Sequence, residues 1–227
     1  MANKNRVITS PKGVAKFPHL NVPDTKFDEA GVYTVKLRLD AFDATNIAYI
    51  AEIEAAHKDA LELYQEEMKE ALKEARKKGG KAGNRKVSEV KDFYNDPPFF
   101  LDEEANEYEL TYKMYASFVS KKTGETIHLR PALFDAKNKP TTVKVTGGSI
   151  IRVASELVPY FKPATGCGLS LRLKAVQIID LKDWSTNPEK LGFEVEEGFE
   201  DGGGDEREDE NGFSDESSGD DDDTGNF

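Results

Sequence analysis

The sequence predicts a mainly β fold, a small barrel of five strands with one long inserted α-helix, followed by a disordered acidic tail. Three observations support this prediction. Short runs alternate apolar and polar residues, one stretch of about 30 residues repeats its apolar residues every three or four positions, and the end of the chain is dense in carboxylates and glycine. We expect a domain over residues 1–184 and a tail over residues 185–227, without ordered structure from Asn187 onward.

The first strand is predicted at Gly31–Leu39. Its apolar residues alternate with polar and basic ones, which gives the strand one buried face and one basic face. The buried face consists of Tyr33, Val35, Leu37 and Leu39, and the basic face includes Lys36 and Arg38.

A single amphipathic helix is predicted over residues 46–78, with Thr45 or Asn46 as its N-cap. His57 falls on the apolar face and is interpreted as a core histidine rather than a metal ligand. Two adjacent glycines end the helix. The segment Arg76–Lys86 is strongly basic and offers no apolar residue for packing, so a flexible basic loop is predicted here, within residues 76–91.

Four more strands are predicted after the proline pair at 97–98. They are Tyr108–Val119, its hairpin partner Thr126–Asp135 with Pro131 marking an edge or bulge, Thr142–Tyr160 and Gly168–Leu181. About five strands with an early helix fit the OB-fold, a five-stranded barrel whose exposed strand face and loops bind oligonucleotides.

Charge is distributed unevenly along the chain. The formal net charge is −12. From Asp183 to Phe227 there are 18 acidic residues against Lys190 and Arg207, a net charge of −16, so the preceding part carries +4. Most of the acidic residues of this preceding part fall in one helical stretch and its flanks, so the rest of its surface should be more basic than +4 suggests.

Several functional classes are disfavoured. Cys167 is the single cysteine, so an intramolecular disulfide and a cysteine zinc cluster are excluded, and we expect it buried near a strand start. The N-terminus lacks a signal peptide's apolar run, and no stretch is long enough to span a bilayer, so we expect no membrane association. No nucleophile–base pair, phosphate-binding glycine motif or metal cluster is identifiable, which predicts a non-enzymatic protein with no cofactor or metal.

Basic residues interleaved with aromatic ones predict a nucleic-acid surface. Cations neutralise phosphates, and flat rings stack on bases without reading sequence. Any one of these residues could equally be a solvated cation or a core ring, but the set and the tail together favour nucleic acid. The candidate DNA-binding residues are Lys36, Arg38, Lys113, Tyr115, Lys121, Lys122, Arg130, Arg152, Tyr160, Phe161 and Lys162.

Tyr160 and Phe161 are adjacent rings between two prolines at a predicted strand end. Neighbouring strand positions face opposite sides, so at least one ring should be exposed. An exposed ring in a stiff basic segment would serve as a stacking platform.

A series of short segments runs along the chain in a fixed order. They are GVY (31–33), MYASF (114–118), SKKTGET (120–126), TGGS (146–149), LVPY (157–160) and the acidic tail ending in Phe227. In this order, and over nearly the whole chain, they resemble the single-stranded DNA-binding proteins of T7-type bacteriophages.

The resemblance implies an OB-fold homodimer that coats single-stranded DNA in phage DNA replication, recombination and repair, and that anneals strands, in the cytoplasm of the infected bacterial host. It implies that Tyr160 stacks on DNA. It also implies that the tail, with Asp220, Asp221, Asp222, Asp223 and Phe227, recruits the phage DNA polymerase and helicase-primase. Two positions depart from the family: Ala30 replaces an arginine implicated in DNA contact, and Phe161 with Lys162 follows VPY where the family has a tryptophan.

Two mechanistic expectations follow from the charge pattern. A tethered acidic tail has an effective concentration of the order of mM, so we expect it to occupy the basic surface when DNA is absent. The basic loop is expected to promote annealing by screening two strands through Arg76, Lys77, Lys78, Arg85 and Lys86.

Two other classes remain open at this point. One is a protein-only interaction module or an acidic chaperone whose tail mimics nucleic acid, although such a protein needs no cationic strand face. The other is a nuclease subunit, which would need clustered carboxylates and a metal that the domain sequence does not suggest.

Overall fold

The computed structural model describes residues 6–26, 28–120 and 122–182, together with Glu194 and Glu197. The predictions for Lys121, for Asp220–Asp223 and for Phe227 lie outside these residues, as does almost all of the expected tail. The described part is mainly β with two α-helices. None of its helices is long and apolar enough to cross a membrane.

The elements are numbered in chain order. The strands are β1 (Val7–Thr9), β2 (Gly13–Asp24), β3 (Val32–Asp40), β4 (Lys81–Ala82), β5 (Arg85–Lys86), β6 (Phe99–Asp102), β7 (Glu107–Tyr115), β8 (Ser117–Val119), β9 (Thr126–His128), β10 (Ala132–Phe134), β11 (Ile150–Lys162) and β12 (Gly166–Asp180). The helices are α1 (Ala44–Leu63) and α2 (Gln65–Lys77), with a 3-10 helix at Val90–Phe93.

Eight of these strands form one sheet whose central pairings return to their starting strand. β2 pairs with β3 and β3 with β7, both antiparallel. β7 adjoins β12 in parallel, and β11 pairs antiparallel with both β12 and β2. β1 lies beside β11, β6 beside β7 and β10 beside β12. One face of this sheet encloses the core, and the side chains of the other face point outward.

Alternation along the strands builds the core, as predicted for β3. Val35, Leu37 and Leu39 are almost completely buried, and so are the alternate leucines at 169, 171 and 173 of β12. Ile50 and Ile53 of α1 join the same cluster. Each fully buried aliphatic side chain stabilises the fold by about 1.5–3 kcal/mol, so this core fixes which residues face outward.

A second apolar cluster lies beneath α2. It contains Met68, Ala71, Leu72, Ala75, Ala82, Val87, Phe93 and Cys167, with Phe161 packed against it. The prediction of a flexible basic loop is wrong here, because β4 and β5 form a short hairpin with Ala82 buried. The burial predicted for Cys167 and His57 is confirmed.

The helical prediction needs two corrections. The predicted single helix is divided at Tyr64, whose backbone (φ −104°, ψ 18°) leaves the helical range, and each of the two helices serves a different apolar cluster. The N-cap is Asp43, because its carboxylate accepts hydrogen bonds from the backbone N–H groups of Thr45 and Asn46.

The strand prediction was also too simple, since twelve strands occur among the described residues rather than five. β1 and β2 precede the predicted first strand. β2 was not predicted from the sequence, because its pairing with β3 is irregular between Lys16 and His19. Phe17, within this irregular stretch, has a positive φ of 48°. The run predicted over Thr126–Asp135 is split at Pro131, and its second part pairs with β12 in parallel.

Candidate nucleic-acid interface

The outer faces of β2, β3 and β7 carry a cluster of cations held by two carboxylates. Glu109 accepts from Lys36 at 2.6 Å and from Lys16 at 3.0 Å. Arg38 lies 3.2 Å from Glu107 and 3.8 Å from Glu109. We call these five residues the Glu109 network. The predicted basic face of β3 is real, but Lys36 and Arg38 are engaged in ion pairs rather than free.

Glu109 itself stays charged below the pH at which an ordinary glutamate is protonated. Partial burial acts to raise the pKa of Glu109, but hydrogen bonds from Lys36 and Lys16 outweigh it and lower the pKa below its ordinary value. The side chain of Glu109 is only 17% exposed. Glu109 is therefore a carboxylate that is fixed in place and fully ionised near neutral pH, with Lys16 and Lys36 held against it.

A second row of cations continues this surface across the sheet. Lys113 of β7 lies opposite Thr34 of β3 on one side and Arg172 of β12 on the other. Lys113 is exposed and forms no ion pair with a described residue, whereas Arg172 lies 3.5 Å from Glu156. Tyr115, two residues beyond Lys113, is 61% exposed. Lys113 and Tyr115 thus place an exposed cation and an exposed ring on the outer face of β7.

The same face of β12 leads to Tyr160. Gly168 lies four residues before Arg172 and is the cross-strand partner of Tyr160. A Cβ atom at Gly168 would come within 3.0 Å of the Tyr160 Oη and 3.2 Å of its Cζ. Because glycine has no side chain, the Tyr160 ring can lie directly against the backbone of β12, with part of its surface accessible.

Tyr160 and Phe161 are both half-buried, so the expectation that one ring would be exposed is wrong. Their environments differ, as expected for neighbouring strand positions. Phe161 packs into the second cluster, with its ring centroid 5.9 Å from Phe93 and 6.1 Å from Tyr64. Tyr160 instead lies on the outer face of the sheet against Gly168 and Asn95, outside the second cluster.

Asn95 holds the surroundings of Tyr160 in place. Its Nδ2 donates to the Tyr160 hydroxyl at 3.0 Å and to the Thr165 carbonyl at 2.9 Å. Its backbone N–H donates to the Cys167 carbonyl, and its own carbonyl lies 2.9 Å from the His57 Nε2. Asn95 therefore links α1, the β11–β12 turn and Tyr160 in one polar hub.

The β4–β5 hairpin lies beside this hub. Arg85 donates from Nη1 to the Thr165 carbonyl at 3.0 Å and approaches the Asn95 Oδ1 at 3.4 Å. A Cβ atom at Gly166 would lie 2.3 Å from that Arg85 nitrogen, and Gly166 has a positive φ of 96°, so both the space and the conformation require glycine. The basic loop and the Tyr160 segment, which were predicted as separate regions, are therefore neighbours in the structure.

The predicted annealing residues have different surroundings. Arg76 donates to the Ser88 carbonyl at 3.0 Å and Arg85 is fixed as described above, so both arginines help to hold the hairpin. The lysines are exposed and form no ion pair with a described residue; they are Lys77, Lys78 and Lys86. Lys162, at the end of β11, is exposed as well.

Three other predicted DNA-binding residues lie elsewhere. Arg152 donates to the Ser10 carbonyl at 3.0 Å beside β1. Lys122 is exposed in the β8–β9 turn, and Arg130 is exposed between β9 and β10. The structure therefore joins Lys36, Arg38, Lys113 and Tyr115 on adjacent strands and Tyr160 with Lys162 at the end of β11. The DNA contacts proposed for all of these residues remain predictions.

Sequence reasoning missed Asn95, Glu109 and Lys16. Asn95 and Tyr160 are 65 residues apart, and Lys16 and Glu109 are 93 residues apart, so local periodicity could not pair them. Phe100 was missed too, although Phe99 and Phe100 are adjacent rings to which the argument used for Tyr160 and Phe161 also applies.

An open sheet face of cations, carboxylates and rings is typical of a surface that binds a charged partner. The part of the chain that the structure describes contains no cluster of three or more His, Cys, Asp or Glu side chains suited to a metal.

The profile of the family described as "Single-stranded DNA-binding protein, Bacteriophage T7" matches residues 12–181, and the chain belongs to this family. The single-stranded DNA-binding protein of Enterobacteria phage T3 is 31% identical over 206 residues, which is 86% of this chain and 85% of that protein. The corresponding protein of Escherichia phage T7 is 30% identical over 202 residues, 85% of this chain and 83% of that protein.

A solved structure agrees with these sequence relatives. The crystal structure of gp2.5, a single-stranded DNA-binding protein encoded by bacteriophage T7, matches with a TM-score of 0.60 at 29% identity, over 86% of this chain and 98% of that one. The resemblance inferred from short segments is confirmed. Because the relatives are named as binding proteins, the prediction of a non-enzymatic protein is confirmed as well.

Proposed function

We propose that this chain coats single-stranded DNA without sequence preference, in the replication, recombination and repair of phage DNA inside an infected bacterium. The observation that carries the proposal is the outer surface that runs from the Glu109 network through Lys113 and Arg172 to Tyr160. It combines cations for phosphates with a ring for bases, the two parts that single-strand binding needs. The names of the relatives support the same ligand.

The strand pairing supports an OB-fold reading of this surface. β2, β3, β7, β11 and β12 would be the five barrel strands, since their pairings form a cycle. OB-folds bind oligonucleotides on the face of their second and third strands and on the loop between the fourth and fifth. In this chain those parts are β3, β7 and the turn at 163–165, which is where the Glu109 network, Lys113 and Tyr160 lie.

In the proposed mechanism, phosphates contact the accessible cations first. Lys113 and Lys162 are exposed and unpaired among the described residues, so they meet phosphates at no cost in broken ion pairs. Lys36 and Arg38 join by exchanging Glu109 or Glu107 for a phosphate, a nearly balanced exchange that keeps binding reversible. Tyr160 stacks on a base, held in orientation by Asn95.

The acidic tail acts in this proposal as an internal competitor. Its net charge of −16 opposes the cations of the interface, and its tether keeps it at high local concentration. DNA binding would release it, so that Phe227 and Asp220–Asp223 become available to the phage DNA polymerase and helicase-primase. Deleting residues 205–227 should tighten single-strand binding, with the largest gain at low salt, where the tail competes most strongly. Equal or weaker binding by the truncated protein would refute the competitor role.

Strand annealing is assigned to the hairpin β4–β5 and the helix end before it. The exposed lysines at 77, 78 and 86 can screen a second strand while Tyr160 holds the first, because Arg85 brings the hairpin beside the Tyr160 site. Replacing the three lysines with glutamine should slow annealing more than it weakens single-strand binding, measured by fluorescence-quench annealing and by anisotropy. A parallel fall of the annealing rate and of the single-strand affinity would make the hairpin an ordinary part of the binding surface.

The homodimer implied by the family resemblance is tested by sedimentation equilibrium.

The proposed function is tested by titrating the full chain into a labelled single strand and into a duplex of the same length, across a salt series. We expect tighter binding to the single strand, with little dependence on base sequence, and a logarithmic salt slope of about −0.7 for each phosphate neutralised. No binding to the single strand, or equal binding to the duplex throughout the series, would refute the proposal and favour a protein-only interaction module.

A further inference from the structure

Two exposed phenylalanines flank the Glu109 network, and neither belongs to the Tyr160 site. Phe100 of β6 and Phe17 of β2 are each 65% exposed. Phe100 is the cross-strand partner of Glu109. Phe17 lies under Lys16, whose Nζ is 5.4 Å from the ring centroid and 3.0 Å from Glu109. The network is thus bordered by a ring on either side.

The exposure of Phe100 is not explained by packing. Its neighbour Phe99 turns toward the core and meets Tyr108 edge-on at 5.8 Å, so Phe99 is the ring that anchors β6. Phe100 instead borders an open cleft of about 380 Å³. The cleft is lined by Lys36, Pro98, Phe99, Phe100, Glu109 and Thr111. A flat ring, a cation and hydrogen-bonding groups around one shallow cleft match the chemistry of a nucleotide.

Phe17 is exposed from a backbone conformation that is unfavourable for a residue with a side chain. Its φ of 48° lies in the left-handed region that residues with a side chain seldom adopt. Lys16 and His19, on either side of it, keep their pairing with β3, so the irregularity lifts this one ring out of the strand. A strained backbone that presents an apolar ring to solvent next to cations is typical of a ligand-contact position.

We propose that Phe100 and Phe17 form a second base-stacking subsite for single-stranded DNA, separate from Tyr160. Phe100 stacks a base in the cleft while Lys36 takes its phosphate, and Phe17 stacks a further base across the Glu109 network. The rings lie on β6 and β2, about three interstrand spacings or roughly 14 Å apart. A single strand crossing β7 and β3 would pass from one ring to the other. This inference rests on the proposed function.

The test compares single-strand affinities of full-length variants by anisotropy across a salt series. Phe100→Ala should weaken binding by at least about fivefold, the lower end expected for loss of one stacked base, without changing the salt slope. Phe100→Trp should retain binding, whereas Phe100→Leu, which keeps an apolar side chain, should lose it nearly as Phe100→Ala does. Lys36→Gln should instead flatten the slope.

Phe17→Gly gives an independent readout. Glycine accepts the positive φ without strain, so the variant should be as stable as the wild type or more stable in thermal unfolding, yet bind single strands more weakly. The matched control is Phe42→Ala, which removes a ring that is 76% exposed between Asp40 and Asp43, where carboxylates would repel phosphate. It should bind as the wild type does.

The outcomes separate the inference from the proposed function. If the wild type fails to bind single strands, both are overturned. If the wild type binds and Phe100→Ala, Phe100→Leu and Phe17→Gly bind equally well, only the second subsite is overturned. A change of oligomeric state in Phe100→Ala with unaltered DNA affinity, measured by light scattering, would overturn it in favour of a contact between copies of the chain.

Discussion

Replacing Glu109 with glutamine removes the charge that holds Lys16, Lys36 and Arg38 together. The side chain keeps its size, but Lys16 and Lys36 lose their partner and become available to phosphates, while Arg38 keeps its contact with Glu107 at 3.2 Å. If Glu109 competes with DNA as proposed, Glu109→Gln should bind single strands more tightly than the wild type does.

The size of the gain follows from the charges. A phosphate about 6 Å from the carboxylate is repelled by about 0.7 kcal/mol in water-like surroundings and by about 2.8 kcal/mol at an effective dielectric constant of about 20. These limits correspond to roughly threefold and hundredfold in affinity. Because the interface is open and salt screens it, we expect a gain of about three- to tenfold. One or two extra neutralised phosphates would steepen the logarithmic salt slope by about 0.7 each.

The assay is anisotropy of a labelled single strand from about 50 to about 200 mM salt, where such slopes are well determined. Glu66→Gln is the matched control, since it makes the same change in net charge on α2, where Glu66 pairs with Lys69 at 2.6 Å. It should leave affinity near the wild-type value. An unchanged or weaker affinity for Glu109→Gln would mean that the Glu109 network is structural and lies outside the DNA path. An equal gain for Glu66→Gln would mean that net charge alone acts.

Three further outcomes are expected. Tyr160→Ala should weaken single-strand binding by roughly fivefold or more with little loss of stability. Phe161→Ala should instead lower the free energy of unfolding in urea by about 2–4 kcal/mol, because it empties part of the second cluster. A loss of stability in Tyr160→Ala with a loss of binding in Phe161→Ala would contradict the placement of the two rings. Gly166→Ala should lower the free energy of unfolding by about 1–3 kcal/mol in the same urea assay, because the φ of Gly166 is 96° and the new Cβ would displace Arg85. An unchanged unfolding midpoint would refute the tight packing of this turn. The folded-state pKa of Glu109 lies below its ordinary value of 4.5, so its ion pairs stabilise the protein above that pH and the contribution is lost as the pH falls through the lowered pKa. In thermal unfolding, the wild type should therefore lose more stability than Glu109→Gln on acidification below about pH 4.5. Parallel stability curves for the two proteins would contradict this.

Regular strands with one buried face were predictable from the sequence. β3 and β12 alternate cleanly because the same residues that pair in the sheet also fill the core, so pattern and packing agree. β2 was not predictable, because the irregular stretch around Phe17 and the prolines at 18 and 23 break the alternation. The helix break at Tyr64 likewise depends on two apolar clusters that exist only in the folded chain.

The candidate site was predictable in its residue types but not in its pairings. The sequence indicated cations and rings on strands, and Lys36, Arg38, Lys113 and Tyr115 do share adjacent outer faces. It could not reveal that Glu109 neutralises part of this face or that Asn95 holds Tyr160, because both contacts join residues more than 60 positions apart. Burial of Phe161 against Phe93 was hidden for the same reason.

The path of DNA across the outer sheet is tested most directly by photo-crosslinking a single strand to the full-length protein and identifying the modified peptides by mass spectrometry. We predict crosslinks at Tyr160 and Tyr115, with protection of Lys113 from amine-reactive reagents when DNA is bound. Crosslinks confined to α1 and α2, with Tyr160 unmodified and Lys113 equally reactive with and without DNA, would contradict the assignment of this surface to single-stranded DNA.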